Sequence, residues 1–221
     1  MKVTIIYDNK VYKRGIGLKS DWGFSCLIET KNNIVLFDTG ANGEILLNNL
    51  KKLNIDSVNI NKIVISHNHR DHMGGLESLV SYLNKIDLYQ LGQNNINNKM
   101  NLANAENPKE ICKDIWITGR IKGLVDEQSL VLNSEIGWFV ITGCSHPGVE
   151  KILKRAEQIA YCNIVGIVGG FHGFNRFSIL EDFQYICPCH CTAHKQDLKR
   201  AFPNVVYNCG VGKTIDLNVK K

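Results

Sequence analysis

The chain has 221 residues, 44% of them apolar and 21% charged, with 26 basic residues against 21 acidic ones and a formal net charge of +5. A globule of this length buries roughly 70% or more of the surface its unfolded chain exposes, so a single domain spanning 1–221 is expected to hold its core without disulfide staples. No apolar run approaches the roughly 20 residues a membrane span requires, and the basic residues form no stripe interleaved with aromatics, so neither a membrane nor nucleic acid is an expected partner. A small anionic molecule fits the charge as well as a solvated basic surface does.

Along the chain, residues 2–7, 24–30 and 33–37 have strand composition, with Lys31-Asn32-Asn33 supplying a turn. The first of these reads as a strand, not as a charged head with a long apolar signal segment, so a cytoplasmic location is expected. Apolar residues at 45, 46, 47, 50 and 53 form a helical stripe over 43–53. The β-branched run Lys62-Ile-Val-Ile65 is a strand covered on both faces, and Gly74-Gly75 open an amphipathic stretch over 76–83. Between them lies Ser66-His67-Asn-His69-Arg-Asp71-His72. Three imidazoles and a carboxylate within six positions make a metal site a better account than a polar turn that happens to hold histidine. The period-2 spacing of His67 and His69 lets both rings point one way while Asp71 and His72 reach in from past the bend.

Residues 92–107 are rich in Asn and read as a flexible excursion before Pro108, either a cover for a cleft or a surface insertion. Strand character returns at 115–118, 130–133 and 138–142, and the last of these runs into Gly143-Cys-Ser-His146. Pro147-Gly148 are read as the start of a helix through Ala160, Pro being tolerated in a first turn. A buried strand over 163–168 ends in Gly169-Gly-Phe-His172. A helix over 196–202 follows His190, and closing strands are expected at 205–207 and 214–219. Gly212-Lys213-Thr214 resembles the end of a phosphate loop, but Tyr207 stands where the first glycine belongs, and that reading is rejected.

Eight cysteines, at 26, 112, 144, 162, 187, 189, 191 and 209, are mostly expected as reduced thiols. The run Cys187-Pro-Cys189-His190-Cys191 invites a thiolate metal site, yet no second C-x-x-C pair completes a tetrahedron. His190 is therefore favoured as the ligand, with the cysteines as buried neighbours.

The H-x-H-x-D-H run, together with Leu36-Phe-Asp38-Thr-Gly40 upstream, resembles the metallo-β-lactamase superfamily over nearly the whole chain. Gly143-Cys-Ser-His146-Pro-Gly, Gly169-Gly-Phe-His172, His190-Cys-Thr and Asp126-Glu-Gln-Ser-Leu-Val resemble one branch, which includes a dihydropterin ribofuranosylaminobenzene phosphate synthase of methanopterin biosynthesis. The resemblance implies an α/β fold, a four-layer αββα sandwich of two mixed sheets flanked by helices. It also implies that His67, His69 and His146 hold one divalent ion and Asp71, His72 and His190 its neighbour. Imidazoles with one carboxylate suit zinc first, then iron or manganese, and disfavour calcium or magnesium.

Many relatives place a bridging aspartate where this chain has His172. An imidazole cannot bridge two ions, so His172 either binds one ion or stands in the substrate pocket as a hydrogen-bond donor or proton shuttle. Asp38 is expected to fix ligand orientation by accepting hydrogen bonds, or else merely to form a turn. Trp22 replaces a histidine frequent in the branch and either lines the pocket or packs. Lys213 is read as an exposed residue before the last strand that a C-terminal turn could carry to a substrate phosphate.

The expected activity is metal-dependent hydrolysis of a phosphate-bearing or ester small molecule, with Asp71 and His172 as the catalytic pair. Alternatives are transfer with release of diphosphate from a dihydropterin ester, and a non-catalytic metal or ligand sensor. A nuclease is disfavoured by the dispersed charge, and His69 disfavours the oxygen-reducing di-iron class. Oligomeric state is not legible.

Overall fold

The computed structural model describes residues 1–92 and 99–218. The chain divides into two compact units, one formed by Met1–Asn104 with Cys209–Asn218 and the other by Ala105–Asn208.

In the first unit, strands β1 (Lys2–Tyr7), β2 (Ser25–Glu29), β3 (Ile34–Phe37), β4 (Lys62–Val64), β5 (Ile86–Tyr89), β6 (Met100–Ala103) and the late β13 (Thr214–Asp216) form a mixed sheet ordered β13-β1-β2-β3-β4-β5-β6. Pairing is antiparallel from β13 to β3 and parallel from β3 to β6. The change of sense follows from the connections. Lys31-Asn32-Asn33 close a tight turn between β2 and β3, whereas β3 and β4 are joined through helix α1 (Gly43–Lys52), the crossover that parallel strands require. Asn42 caps α1, its Oδ1 accepting from the amides of Glu44 and Ile45. Leu46 and Leu50 of α1 pack with Leu76, Leu79 and Val80 of α3 (Leu76–Val80) and with Leu27, Leu36 and Ile63 of the sheet.

The second unit repeats the scheme. Strands β7 (Lys109–Cys112), β8 (Ile115–Ile117), β9 (Leu130–Ser134), β10 (Gly137–Thr142), β11 (Ile164–Gly169) and β12 (Tyr185–Pro188) are ordered β12-β11-β10-β9-β8-β7, antiparallel from β7 to β10 and parallel from β10 to β12. Helix α4 (Val149–Ala160) links β10 to β11, burying Val149, Ile152, Leu153 and Ala156 against Val140 and Ile167. Helix α5 (Lys195–Ala201) adds Leu198 to the same core. The chain is thus α/β, with two mixed sheets and their flanking helices. Among the described residues, no helix is long and apolar enough to cross a membrane.

Several boundaries differ from the sequence reading. The excursion expected over 92–107 contains β6, which continues the parallel ladder from β5; residues 93–98 of that stretch lie outside the described residues. Its Asn content hid a strand whose burial is partial. Strands β5 and β7 carry no period strong enough to have been picked out. Pro147 does not open α4: Gly148 is the cap residue, at φ 101°, and the helix begins at Val149. The strand expected at 205–207 is a single bridge, Ile186 with Val206, and the closing strand ends at Asp216, Val219 lying outside the described residues.

Register places the ends of the parallel strands level. Phe37 faces Val64, which faces Tyr89; Thr142 faces Gly169, which faces Pro188. Gly169 sits at φ 134°, and a β-carbon there would lie 2.0 Å from the Thr142 carbonyl oxygen. Gly169→Ala is expected to destabilise the protein by roughly 1–3 kcal/mol, measured as a fall in urea midpoint. Gly173→Ala, where a β-carbon meets nothing within 4 Å, should stay within about 0.5 kcal/mol of the parent.

Candidate functional site

In both units the chemistry-bearing residues leave the sheet at the carboxyl ends of the parallel strands, the rim where open α/β sheets bind ligands. In the first unit β3 delivers Asp38, and β4 delivers Ser66 and the histidine run, whose second half is the short helix α2 (Arg70–Met73) rather than a plain loop. In the second, β10, β11 and β12 deliver His146, His172 and His190.

The first group is organised by Asp38, a fully buried carboxylate. Its Oδ1 accepts from the Ser66 amide at 2.7 Å, and its Oδ2 accepts from Ser66 Oγ at 2.8 Å and from His72 Nδ1 at 2.7 Å. These bonds fix tautomers. A hydroxyl has one proton, and Ser66 has given it to Asp38, so its oxygen accepts from His67 Nδ1 at 2.8 Å. His67 and His72 are therefore each engaged through Nδ1, the nitrogen that a hydrogen-bonding partner holds when imidazole binds a metal through Nε2.

His67 Nε2 lies 3.1 Å from His69 Nδ1, with the rings nearly perpendicular at 77°. Tetrahedral zinc with bonds of about 2.0–2.1 Å sets neighbouring nitrogens roughly 3.3 Å apart, and the pair fits that edge. Asp71 Oδ2 is 3.7 Å from His72 Nε2 and accepts from the Trp22 indole at 3.0 Å. The donor set fits a first-row metal ion, and candidate metal-binding residues are present.

Trp22, 57% exposed, lines a cavity of about 430 Å³ with Asp21, Ala41, Asn42, Arg70 and Asp71. Asp21 is held there by the Tyr7 hydroxyl at 2.9 Å; burial, then the carboxylate itself, raises Tyr7 above its ordinary value and keeps it the donor. Arg70 makes no ion pair among the described residues. Lys213, expected to be exposed, is 6% exposed, with its ammonium 4.7 Å from the centre of the Tyr12 ring. That distance is within the range of a cation–π contact.

The second group has its own buried carboxylate, Glu127, which sequence reasoning passed over although the run 126–131 had been noted. Glu127 Oε1 accepts from the amides of Cys144 and Ser145 at 2.9 and 3.0 Å, and Oε2 accepts from the His146 amide at 3.0 Å and from His146 Nδ1 at 3.1 Å. His146 is thus engaged through Nδ1, as His67 and His72 are. A usable signal existed: three consecutive polar residues, Glu127, Gln128 and Ser129, sit directly ahead of an apolar strand, and all three are fully buried.

Arg120 pins the turn that carries Glu127. It forms a two-pronged pair with Glu106 at 2.6 and 2.7 Å and reaches Asp126 at 2.7 Å, while Ile121 and Glu127 exchange backbone hydrogen bonds.

The three histidine-bearing loops of this unit touch one another. A β-carbon on Gly170 would lie 2.5 Å from the Gly143 carbonyl oxygen and 2.6 Å from Cys191 Sγ. The Cys191 thiol is held below its ordinary value, chiefly by its bond with Cys144 and against the opposing effect of burial. His172 is exposed, its ring 5.0 Å from that of His146, and it lines a cavity of about 250 Å³ with Ser145, Phe171 and Asn175. His190 is buried, its carbonyl accepting from Lys195 Nζ at 3.2 Å. Asp38, Ser145, His172 and His190 all adopt positive φ, between 41° and 64°. Strained conformations of this kind persist where the surroundings over-determine them, commonly at functional sites.

The family model described as Anti-Pycsar protein Apyc1 matches residues 18–119. An uncharacterized protein of Methanocaldococcus jannaschii is 29% identical, the match covering 97% of this chain and 100% of that protein. The 7,8-dihydropterin-6-methyl-4-(β-D-ribofuranosyl)-aminobenzene-5′-phosphate synthase of the same organism is 26% identical over 80% of this chain and 83% of its own. Among solved structures, Tm1679, described as a metal-dependent hydrolase of the β-lactamase superfamily, matches with a TM-score of 0.75 at 25% identity, covering 99% of this chain and 100% of that one.

If the two buried carboxylates set ligand orientation, Asp38→Asn and Glu127→Gln should each weaken zinc binding about 10–100-fold in competition with a chromophoric chelator; parent affinity in both would remove that role. The Arg120 clasp has a pH signature. Arg120, then the Gly123 amide, holds the Asp126 carboxyl below its usual range. A lowered folded value means that the clasp stabilises above the ordinary carboxylate range and loses its effect as pH falls through the folded value. The stability difference between parent and Arg120→Ala should therefore be flat above about pH 5 and shrink below about pH 4, read from urea midpoints at each pH.

Proposed function

We propose that this chain, which has the metallo-β-lactamase fold, is a metal-dependent hydrolase of an anionic, phosphate-bearing or ester small molecule. The observation that supports the reading is the engagement of three imidazoles, His67, His72 and His146, through Nδ1, by Ser66, Asp38 and Glu127 respectively. Buried histidines serving only as packing would have no need of two buried carboxylates dedicated to their orientation. In this proposal His67, His69 and His146 hold one ion and Asp71, His72 and His190 a second, an assignment that rests on the motif resemblance. Zinc is the expected metal, with iron or manganese as alternatives. Two such ions, when bound, supply Lewis-acid charge and make water acidic enough to react near neutral pH.

The protein's own groups have separate tasks. Arg70, exposed beside Asp71 on the cavity wall, offers a two-pronged donor to a phosphate or carboxylate of the substrate. Trp22 presents an exposed ring on the same wall. His172, exposed and close to His146, is placed to hand a proton to a leaving oxygen. Lys213 has no assigned task in this scheme, because it is engaged with Tyr12.

A second reading is favoured by a specific observation, the 26% identity to the dihydropterin synthase over 80% of the chain. Under it the same residues support transfer with release of diphosphate, and Arg70 steadies the departing group. A cytoplasmic location belongs to the proposal.

Protein purified without added metal should contain about two ions per chain by elemental analysis and should turn over one class among phosphodiesters, thioesters and a dihydropterin diphosphate with its aminobenzene acceptor. Ions without turnover across that panel would favour a sensor. His172→Ala is expected to lower turnover about 10²–10⁴-fold with little change in melting temperature, and full turnover in that variant would remove the proton-transfer role.

A further inference from the structure

Trp22 departs from the motif pattern and sits, largely exposed, on a cavity wall, yet its indole nitrogen is not free: it donates to Asp71 Oδ2 at 3.0 Å. The same oxygen lies 3.7 Å from His72 Nε2, the ring nitrogen opposite the one that meets Asp38. The backbone reinforces the juxtaposition. The amide of Phe24 donates to the Asp71 carbonyl at 3.2 Å, and a β-carbon on Gly23 would lie 2.6 Å from that carbonyl oxygen, so the Trp22-Gly23-Phe24 segment is seated directly on α2. The Gly23 amide is tied in turn to Asn9 Oδ1 at 3.2 Å.

We propose that Trp22 is a positioning residue for Asp71, its indole N–H holding the carboxylate in the rotamer that keeps Oδ2 beside His72 Nε2. A carboxylate oxygen has two acceptor sites. The indole occupies one of them at 3.0 Å while the same oxygen stays 3.7 Å from His72 Nε2. The hydrogen bond to an ionised acceptor is of the stronger kind, and because a neutral donor supplies it, the negative charge that a cation needs is preserved. The aromatic ring is thereby anchored by one edge while its face stays in the cavity, so the residue that orders the ligand also borders the space a substrate would enter. This inference rests on the metal-centre reading above and names a determinant of the site that the ligand motifs do not contain.

The experiment uses the full chain in which Trp22 is replaced by Phe, which keeps an aromatic ring and removes the donor. The chain has three tryptophans, so three indole N–H resonances are expected in a nitrogen–proton correlation spectrum, and Trp22→Phe assigns one of them by its loss. Asp71→Ala, in metal-free protein, should move that assigned resonance and leave the other two in place. Chelator competition should then show one zinc equivalent bound by Trp22→Phe about as by the parent and the second weakened about 10–100-fold, with melting temperature nearly unchanged. An assigned indole resonance indifferent to Asp71→Ala, or a Trp22→Phe protein that binds both equivalents like the parent, would overturn the positioning role. A parent that takes up no zinc while its indole still responds to Asp71→Ala would overturn the metal-centre reading and, with it, the purpose assigned to the contact, so the two failures are distinguishable.

Discussion

A buried carboxylate bonded to the Nδ1 of a histidine is the interaction on which the rest of this architecture depends. It occurs in both units, as Asp38 with His72 and as Glu127 with His146. Each carboxylate is fully buried, and leaving such a charge unpaired would cost several kcal/mol. Each is satisfied in the same manner, by backbone amides of the very loop whose imidazole it orients: Ser66 for Asp38, and Cys144, Ser145 and His146 for Glu127. The group that orients the imidazole is therefore also the group that folds the loop carrying it, and neither can be altered without the other.

The sheets explain why those loops are where they are. In both units an antiparallel half, closed by short turns, abuts a parallel half whose strand ends are level, and the histidines follow the strands of the parallel half. Parallel strands with covered faces need near-continuous apolar residues, so polar chemistry is expelled to their ends. The price is local strain at Asp38, Ser145, His172 and His190, offset by the hydrogen bonds that hold these residues.

Much of this was legible in the residues, for identifiable reasons. The H-x-H-x-D-H spacing states its own geometry, because side-chain direction over so few positions is set by the strand and the first helical turn. The α1 stripe and the α4 helix were visible because periodicity survives without knowledge of partners. Strand β6 was not, since an edge strand with two exposed residues lacks alternation and its Asn content argues for a loop. Glu127 lies 19 residues from the histidine it orients and Trp22 lies 49 from the aspartate it touches. Such contacts are set by sheet order, which no local pattern encodes. The burial of Lys213, expected to be exposed, is likewise a matter of tertiary placement.

The Arg120 clasp differs in kind from the buried carboxylates it serves. Its partners are open to water, with about half of the Glu106 side chain and a third of the Asp126 side chain accessible, so mobile ions screen it over a Debye length of about 8 Å at physiological ionic strength. The turn that ends in Glu127 is thus stiffened by a force that dissolved salt can weaken, while the Glu127–His146 bond itself is shielded. Orientation of one imidazole therefore rests on an inner contact indifferent to the medium and an outer brace that is tighter in dilute buffer than in brine.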